Sequence, residues 1–537
     1  MYTHKRSFEE FGFDIGDVDS DTATSKPAKL AAPLLREAKA ALDKLPTEIL
    51  SYIASHLSTT ELLSLRLANR TIEVQLFNDF AAYYFTKKQF MLTEESLQCL
   101  VDISLHPTLS TVLEHVVISL DKYRSDGHVR HSPTNDPAVL VARAAAYRQG
   151  ARDQSVLLAS GRDGQLLMRA FQNLPNLRTV GLRDYNSGTR WRDGEGAQWR
   201  AYGATTVLEK TGKDLLQVDG MEYAFKQYAG TGSSTNFAAR AFITVLQALG
   251  EAGARPQNIE ILIRNRVNAL PDYAFHVPSN LAPLLEPMLA MLRSLLLTVD
   301  LQPIYTQGAG GVDVADPDPE GGKFSLDRFL SLTPSLIHLR LNLVSEMPHW
   351  HDSGFLDRLA TLGPTLLPML AQLDLGMMPN AHPDSIAAVA KAWSSTLKTL
   401  SFWKVTLAEF RGDRAAVKAV SKLNRWPELL ERLRKSAPSL ESISVGCLAQ
   451  RSAGRRQRVM LNIETQDGQK PTVNRVYGHE DMQDLKGFRA RLEEEMSLET
   501  MDGDHIDGND EEDEGSSSES EEAGGEEDNN NGNEDGN

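Results

Sequence analysis

The chain has 537 residues, 41% of them hydrophobic, which is enough for two or three domains with substantial cores. Of its 73 acidic and 56 basic residues, 16 acidic and no basic ones lie in 501–537. The remaining 57 and 56 nearly cancel, so global charge excludes a nucleic-acid protein. No run of about eighteen apolar residues occurs, which excludes a transmembrane helix.

Cys99 and Cys447 are the only cysteines, too few for a disulfide framework, and they fit a reducing compartment. The N-terminus, MYTHKRSFEEFGFDIGD, lacks an apolar signal core. The expected setting is therefore intracellular, in the cytoplasm or nucleus, with no membrane partner.

Residues 1–35 are polar and aperiodic and are expected to be disordered. The stretch LPTEILSYIASHLSTTELLSLRL, 45–67, then predicts two short helices. Pro46 suits a first helical turn, and Ile49, Ile53 and Leu57 recur at every fourth position on one face. Ser58 and Glu61 have capping-box spacing ahead of a helix carrying Leu62, Leu63, Leu65 and Leu67. A third helix runs through Val74, Leu76, Phe77 and Phe80. Three short helices bury too little surface to stand alone, which points to a partner-docking module. A plain helical hairpin at the edge of a larger domain has the same pattern.

LPTEIL followed by SHLSTTELLSLRLANR resembles the F-box over residues 43–85. That resemblance implies docking onto a Skp-type adaptor, and through it onto a cullin–RING ubiquitin ligase. Leu45, Pro46, Ile49, Ile53, Leu57, Leu62, Leu63 and Leu65 would then divide between the adaptor surface and the module's own core. The sequence departs from the family after Leu67, where Ala68, Asn69, Arg70, Thr71 and Ile72 lack the usual aromatic.

Beyond the module, FMLTEESLQCLVDISLHPTLS predicts a helix capped by Thr93, with Leu97, Leu100 and Val101 on one face, stopped at His106-Pro107. An apolar-x-x-apolar-x-apolar pattern then recurs. It stands at Leu113-Val116-Ile118, Leu177-Val180-Leu182, Leu292-Leu295-Leu297, Leu336-Leu339-Leu341, Leu370-Leu373-Leu375, Leu397-Leu400-Phe402 and Leu440-Ile443-Val445. A weaker copy is Ile259-Ile261-Ile263. Alternation at the end of each copy predicts a strand. Helical faces fall between them: Phe242, Val245, Leu246, Leu249; Ile386, Val389, Ala390, Trp393; and Trp426, Leu429, Leu430, Leu433.

Strand, loop and helix at this spacing resemble leucine-rich repeats, in which stacked layers make one continuous core. The copies are unevenly spaced and most lack the usual Asn after the strand. A general α/β domain with Leu-rich buried strands is the alternative. The expected fold class is α/β: a three-helix F-box-like module at 43–85, an irregular leucine-rich-repeat-like solenoid over 90–498 with long insertions, and disordered termini. Residues 455–478 are expected as a terminal strand pair and 481–498 as a helix with Leu485, Phe488 and Leu492 on one face. The tail from 501 is expected to be disordered.

Catalytic signatures are missing. GAGGVD at 308–313 is followed by an acidic run that would repel phosphate, and no G-x-S-x-G elbow occurs. His349, His351 and Asp352 form the one cluster inviting a metal, and they read more simply as loop surface. Cys99 lies on an apolar helix and reads as inert. No cofactor, metal or catalytic residue is expected. Ser516 and Ser518, each with Glu three residues on, match acidophilic kinase sites or a plain solubilising tail.

Binding anchors are easier to find. RDYNSGTRWRDGEGAQWRAYG, 183–203, follows the Leu177–Leu182 strand and holds Tyr185, Arg190, Trp191, Arg192, Trp199 and Arg200. This loop either contacts a substrate or folds back to plug the gap beside the first repeats. Trp350 and Trp403, after later strands, are weaker candidates. The expected function is a non-catalytic substrate receptor of a Skp–cullin–F-box ligase, with an unidentified protein as substrate. An interaction scaffold without a ligase is the alternative.

Overall fold

Each copy of the apolar motif becomes a short strand preceded by a buried leucine or its equivalent. In the computed structural model Lys87–Met91 (β1), which holds no copy, comes first. The copies give His115–Ser119 (β2), Thr179–Arg183 (β3), Asn258–Leu262 (β4), Ser294–Asp300 (β5), His338–Leu343 (β6), Gln372–Gly376 (β7), Thr399–Trp403 (β8) and Ser442–Gly446 (β9); Asn474–Tyr477 (β10), again without a copy, makes ten strands. They lie side by side in chain order, with Leu270–Pro271 added beside β5 to make an eleven-stranded sheet. β1 to β9 pair in parallel, and β10 closes the edge antiparallel. The structure describes residues 42–123, 136–189, 191–194, 197–215, 236–301, 305–307, 313–315, 324–344, 353–408, 423–452, 455–461, 474–484 and 487–500.

Parallel neighbours need long crossovers, and here helices supply them. They include Glu94–Leu105, Arg162–Phe171, Phe237–Ala252, Ala282–Leu289, Ser325–Ser331, Ser353–Leu366, Pro383–Ala392 and Trp426–Ser436. Val116, Ile118, Val180, Leu182, Leu295, Leu297, Leu373 and Leu375 from the strands are buried in one cluster with Phe242, Leu249, Trp393, Trp426 and Leu430 from the helices. Burying one such side chain stabilises by about 1.5–3 kcal/mol, and because the cluster is continuous each layer gains this only against its neighbours. The alternate strand residues form a second, polar face. Its rows run His115–Thr179–Asn258–Ser294–His338–Gln372–Thr399–Ser442 and Glu260–Leu296–Arg340–Asp374–Ser401–Ser444.

The chain leaves β7, β8 and β9 the same way. Met377, Lys404 and Cys447 follow those strands with φ of 55°, 53° and 48°. A left-handed non-glycine residue costs about 1–2 kcal/mol. Neighbouring backbone holds the first two turns: Met377 N donates to Trp403 O at 2.8 Å and Lys404 N to Gly446 O at 3.0 Å. The turns after β8 and β9 lead into a second sheet, ordered Thr406–Leu407, Ala449–Ser452, Arg455–Leu461 and Met496–Thr500.

Several elements differ from the expectation. β1 was not foreseen, because Lys87, Lys88 and Gln89 interrupt the apolar pattern. Arg455–Leu461 and Asn474–Tyr477 belong to different sheets instead of pairing with each other. The expected helix over 481–498 is two short helices, His479–Gln483 and Phe488–Glu495, followed by the strand Met496–Thr500. Phe488 and Leu492 are buried there, while Leu485 falls outside the described residues. The disordered-terminus expectations, the metal-like cluster at 349–352 and the tail serines also fall outside them.

Candidate functional site

The helical module consists of Thr47–Ser55 (α1), Thr59–Ala68 (α2) and Arg70–Phe85 (α3). The capping box forms: Ser58 N donates to Glu61 Oε2 at 2.9 Å and Glu61 N to Ser58 Oγ at 3.3 Å. Ser58 N and Ser58 Oγ both donate to Glu61 Oε2, and these two bonds favour the ionised carboxylate and hold the Glu61 carboxyl below its ordinary range. Arg66 is buried and bidentate to Glu73 at 2.8 and 2.6 Å, tying α2 to α3. Its guanidinium lies 3.3 Å from the Phe80 ring centroid.

The structure divides the module's apolar residues between core and surface, a division the sequence left open. α1 buries Leu50 and Ala54, so the stripe through Ile49 and Ile53 looks outward. Ile49 is 48% exposed and Tyr52 67%, and with Ile53 and His56 they follow the i, i+3, i+4, i+7 spacing of one helix side. Leu57 lies past the end of α1 and is half-buried. In α2 Leu62 is buried, Leu63 and Leu65 are half-buried, and Leu67 is exposed. Leu45 is half-buried against the core and Pro46 is exposed. In α3 the inward residues are Ile72, Leu76, Phe80, Tyr84 and Phe85, whereas Val74 is exposed. The module therefore keeps apolar side chains on the outside, where a partner could cover them.

The loop after β3 fastens this module to the sheet. Asp193 accepts from Thr59 N at 2.8 Å and from Thr59 Oγ1 at 2.6 Å, which caps the start of α2. Arg192 Nη1 donates to Ala54 O at 2.7 Å and Leu57 O at 3.4 Å, satisfying carbonyls at the end of α1. Its guanidinium sits 4.2 Å from the Tyr83 ring centroid. Trp199 packs against Tyr84 and Tyr83, with centroids 5.6 and 6.3 Å apart. At the loop's base Gln89 Nε2 donates to Tyr185 O at 3.1 Å, and Ser187 Oγ donates to Gln89 Oε1 at 2.6 Å. Tyr185 also lies under Arg264, 4.1 Å from its centroid. Arg192 and Trp199 thus serve the fold-back arrangement that the sequence left open. Arg200 reaches Asp214 at 3.8 Å at the surface. Arg190 falls outside the described residues, and of Trp191 only its place in the short 3-10 turn Trp191–Asp193 is described.

A second surface is the polar face of the sheet, whose His338, Arg340 and Asp374 the sequence did not single out. His338 Nε2 and Arg340 Nε both reach Asp374 Oδ2, at 2.8 and 3.1 Å, and Ser294 Oγ lies 3.2 Å from His338 Nδ1. Burial pushes the Asp374 carboxyl up, but the hydrogen bond and charge of His338, with Arg340, outweigh it and leave the group below its ordinary value. Nearer β1, Arg183 donates to Glu260 at 3.0 Å beside His115, whose ring burial holds far from its charged form. The only signal for these residues is their position between the repeat's apolar pairs. Burial raises the Cys99 thiol to about 11, so it is no nucleophile near neutrality.

No protein-family model matches this chain, and no curated protein matches it. Among solved structures, the crystal structure of the Rad7 and Elc1 complex in yeast is similar at 11% identity. That match covers 79% of this chain and 93% of the other, with a TM-score of 0.21. Among the described residues no helix is long and apolar enough to cross a membrane, and no group of three or more His, Cys, Asp or Glu could hold a metal ion.

Proposed function

We propose that this chain is the substrate-recognition subunit of a Skp–cullin–F-box ubiquitin ligase, working in the cytoplasm or nucleus. In this reading 43–85 is an F-box that docks the adaptor, and the layered sheet is an irregular leucine-rich-repeat-like solenoid that holds a target protein. The observation that carries the reading is the outward apolar side of α1, with Ile49 and Tyr52 exposed on a helix opened by the Leu45-Pro46 pair. Exposed apolar side chains on a three-helix unit are expected where a partner completes its core. The mechanism is proximity: a target held near the conjugating enzyme presents its lysines at high effective concentration, with no catalytic residue on this chain.

Co-expression of the full chain with a Skp-type adaptor tests the reading. Complex formation is expected, with over tenfold loss on Ile49→Asp or Tyr52→Ala, because central interface anchors carry about 2 kcal/mol or more. Both residues are exposed, so both variants keep the wild-type melting temperature. A folded wild type that forms no complex overturns the ligase role and leaves the second reading, an interaction scaffold built on the same sheet. That second reading is favoured by the polar face of the sheet, which needs no adaptor to bind a partner.

A further inference from the structure

The polar face carries two side chains of the kinds that dominate interfaces, Arg and Trp, each fixed by its neighbours. Arg340 uses its Nε to reach Asp374 Oδ2 and is 40% exposed. Its terminal nitrogens make no hydrogen bond among the described residues, so the fork remains for an outside acceptor. His338 and Gln372 complete the Asp374 carboxylate, Gln372 Nε2 donating to Oδ1 at 3.4 Å. Arg340 is thereby positioned at little further entropic cost on binding.

Trp403, 39% exposed, lies across Gly446 of the next strand. A Cβ at Gly446 would stand 2.4 Å from the indole ring carbons, so only glycine admits this pose. Asn342 lies across Gly376 in the same manner, with its Oδ1 2.2 Å from where a Cβ would be. The two glycines keep the floor low between the Arg340 fork and the indole. The guanidinium leans over β7 and the indole over β9, two strands across and two residues along. Strand spacing and rise put them roughly 12 Å apart, the reach of three to four extended residues.

We propose that this face binds an extended peptide whose Asp or Glu carboxylate pairs with Arg340. An apolar or aromatic side chain four residues away, which the alternation of an extended chain puts on the same side as the carboxylate, lies on Trp403. One guanidinium with a carboxylate beside it suits a monoanion. A phosphate dianion would double the repulsion from Asp374 together with the attraction to Arg340, so the pair offers it no net advantage over a carboxylate. Calling that peptide part of a degradation target rests on the receptor role proposed above; the binding itself does not.

The test is an array of short Gly/Ser peptides carrying one Asp and one Phe at separations of one to six residues, probed with the folded full chain. Companion peptides replace Asp by Asn or by phosphoserine. Strongest signal is expected at separation four, falling over tenfold with Asn in the peptide, with Arg340→Gln or with Trp403→Ala. Melting curves check both variants. If one fails to fold, the other alone decides. No binding, no spacing preference, an unchanged signal from the folded variants, or tighter binding of phosphoserine each overturns the proposal. Lost peptide binding beside intact adaptor binding removes this inference and leaves the receptor role standing.

Discussion

Arg240 donates from both terminal nitrogens to Asp163, at 2.6 Å to Oδ2 and 3.1 Å to Oδ1, joining helix Phe237–Ala252 to the first turn of helix Arg162–Phe171. The arrangement recurs along the stack. Arg162 reaches Glu94, Arg358 reaches Asp327 and Arg432 reaches Asp384, each acid standing in the first turn of the helix before. An acid in that turn also meets the positive end of the helix dipole, so every staple serves two purposes. At these four junctions successive crossover helices are tied by a bond outside the apolar core as well as by packing.

The staples should differ in strength with burial. Asp163 has no exposed side-chain surface, so Arg240→Ala strands a buried charge and is expected to cost about 3–5 kcal/mol. Arg432 and Asp384 are 52% and 66% exposed, and Arg432→Ala is expected to cost under about 1 kcal/mol. Urea unfolding of both variants checks the contrast. Equal losses would mean that burial does not set the strength of these staples.

The loop from β3 makes the module's attachment a separable quantity. Asp193→Ala removes two hydrogen bonds from Thr59, and a charge-assisted bond contributes about 1.5–3 kcal/mol. Limited proteolysis should then cut between 42 and 86 sooner than in the wild type, while the sheet stays resistant. Unchanged cleavage would show that Arg192 and Trp199 hold the module by themselves.

Much of this fold was legible because its signals are local. Leu339 and Leu341 alternate on one strand, and Trp426, Leu429, Leu430 and Leu433 share one helix side, within reach of a periodicity argument. The eight apolar motif copies all mark strands of the main sheet. What escaped depends on pairs distant in sequence. Asp163 and Arg240 are 77 residues apart, and Thr59 and Asp193 are 134 apart. Which side of α1 turns inward was also left open, since Ile49 and Leu50 are equally apolar and only packing against α3 decides. On the polar face Arg340 and Asp374 read as ordinary solvated residues until the register sets them side by side.

Asp121 gives the fold a pH dependence of unusual sign. Burial pushes its carboxyl up to about 7, with Asp214 adding to the rise, while Ser119 and Arg200 oppose it. A folded-state value above the unfolded one means the native state holds the proton longer. This group's contribution is therefore fully present below about pH 4, the ordinary carboxylate range, and is lost as pH rises toward about 7. Asp121→Asn keeps a neutral side chain at every pH. Its melting temperature should match the wild type at pH 4 and exceed it at pH 8. A variant less stable than wild type at pH 8 would place an ionised, well-compensated carboxylate at this position.

Gly363 lies inside helix Ser353–Leu366, where alanine would ordinarily stabilise by about 1 kcal/mol. The opposite sign is expected here. A Cβ at this position would stand 2.1 Å from Trp393 Cη2 and 2.2 Å from Cζ2. Trp393 has no room to retreat: it is 2% exposed, and its Nε1 donates to Leu367 O at 2.9 Å. Forcing extra volume into such a packed contact costs about 1–3 kcal/mol, which outweighs the helix preference. Gly363→Ala should therefore lower the melting temperature, and Trp393→Phe in the same chain should recover part of the loss by clearing the ring atoms in question. Additive losses in the double variant would show that the two residues do not compete for this space.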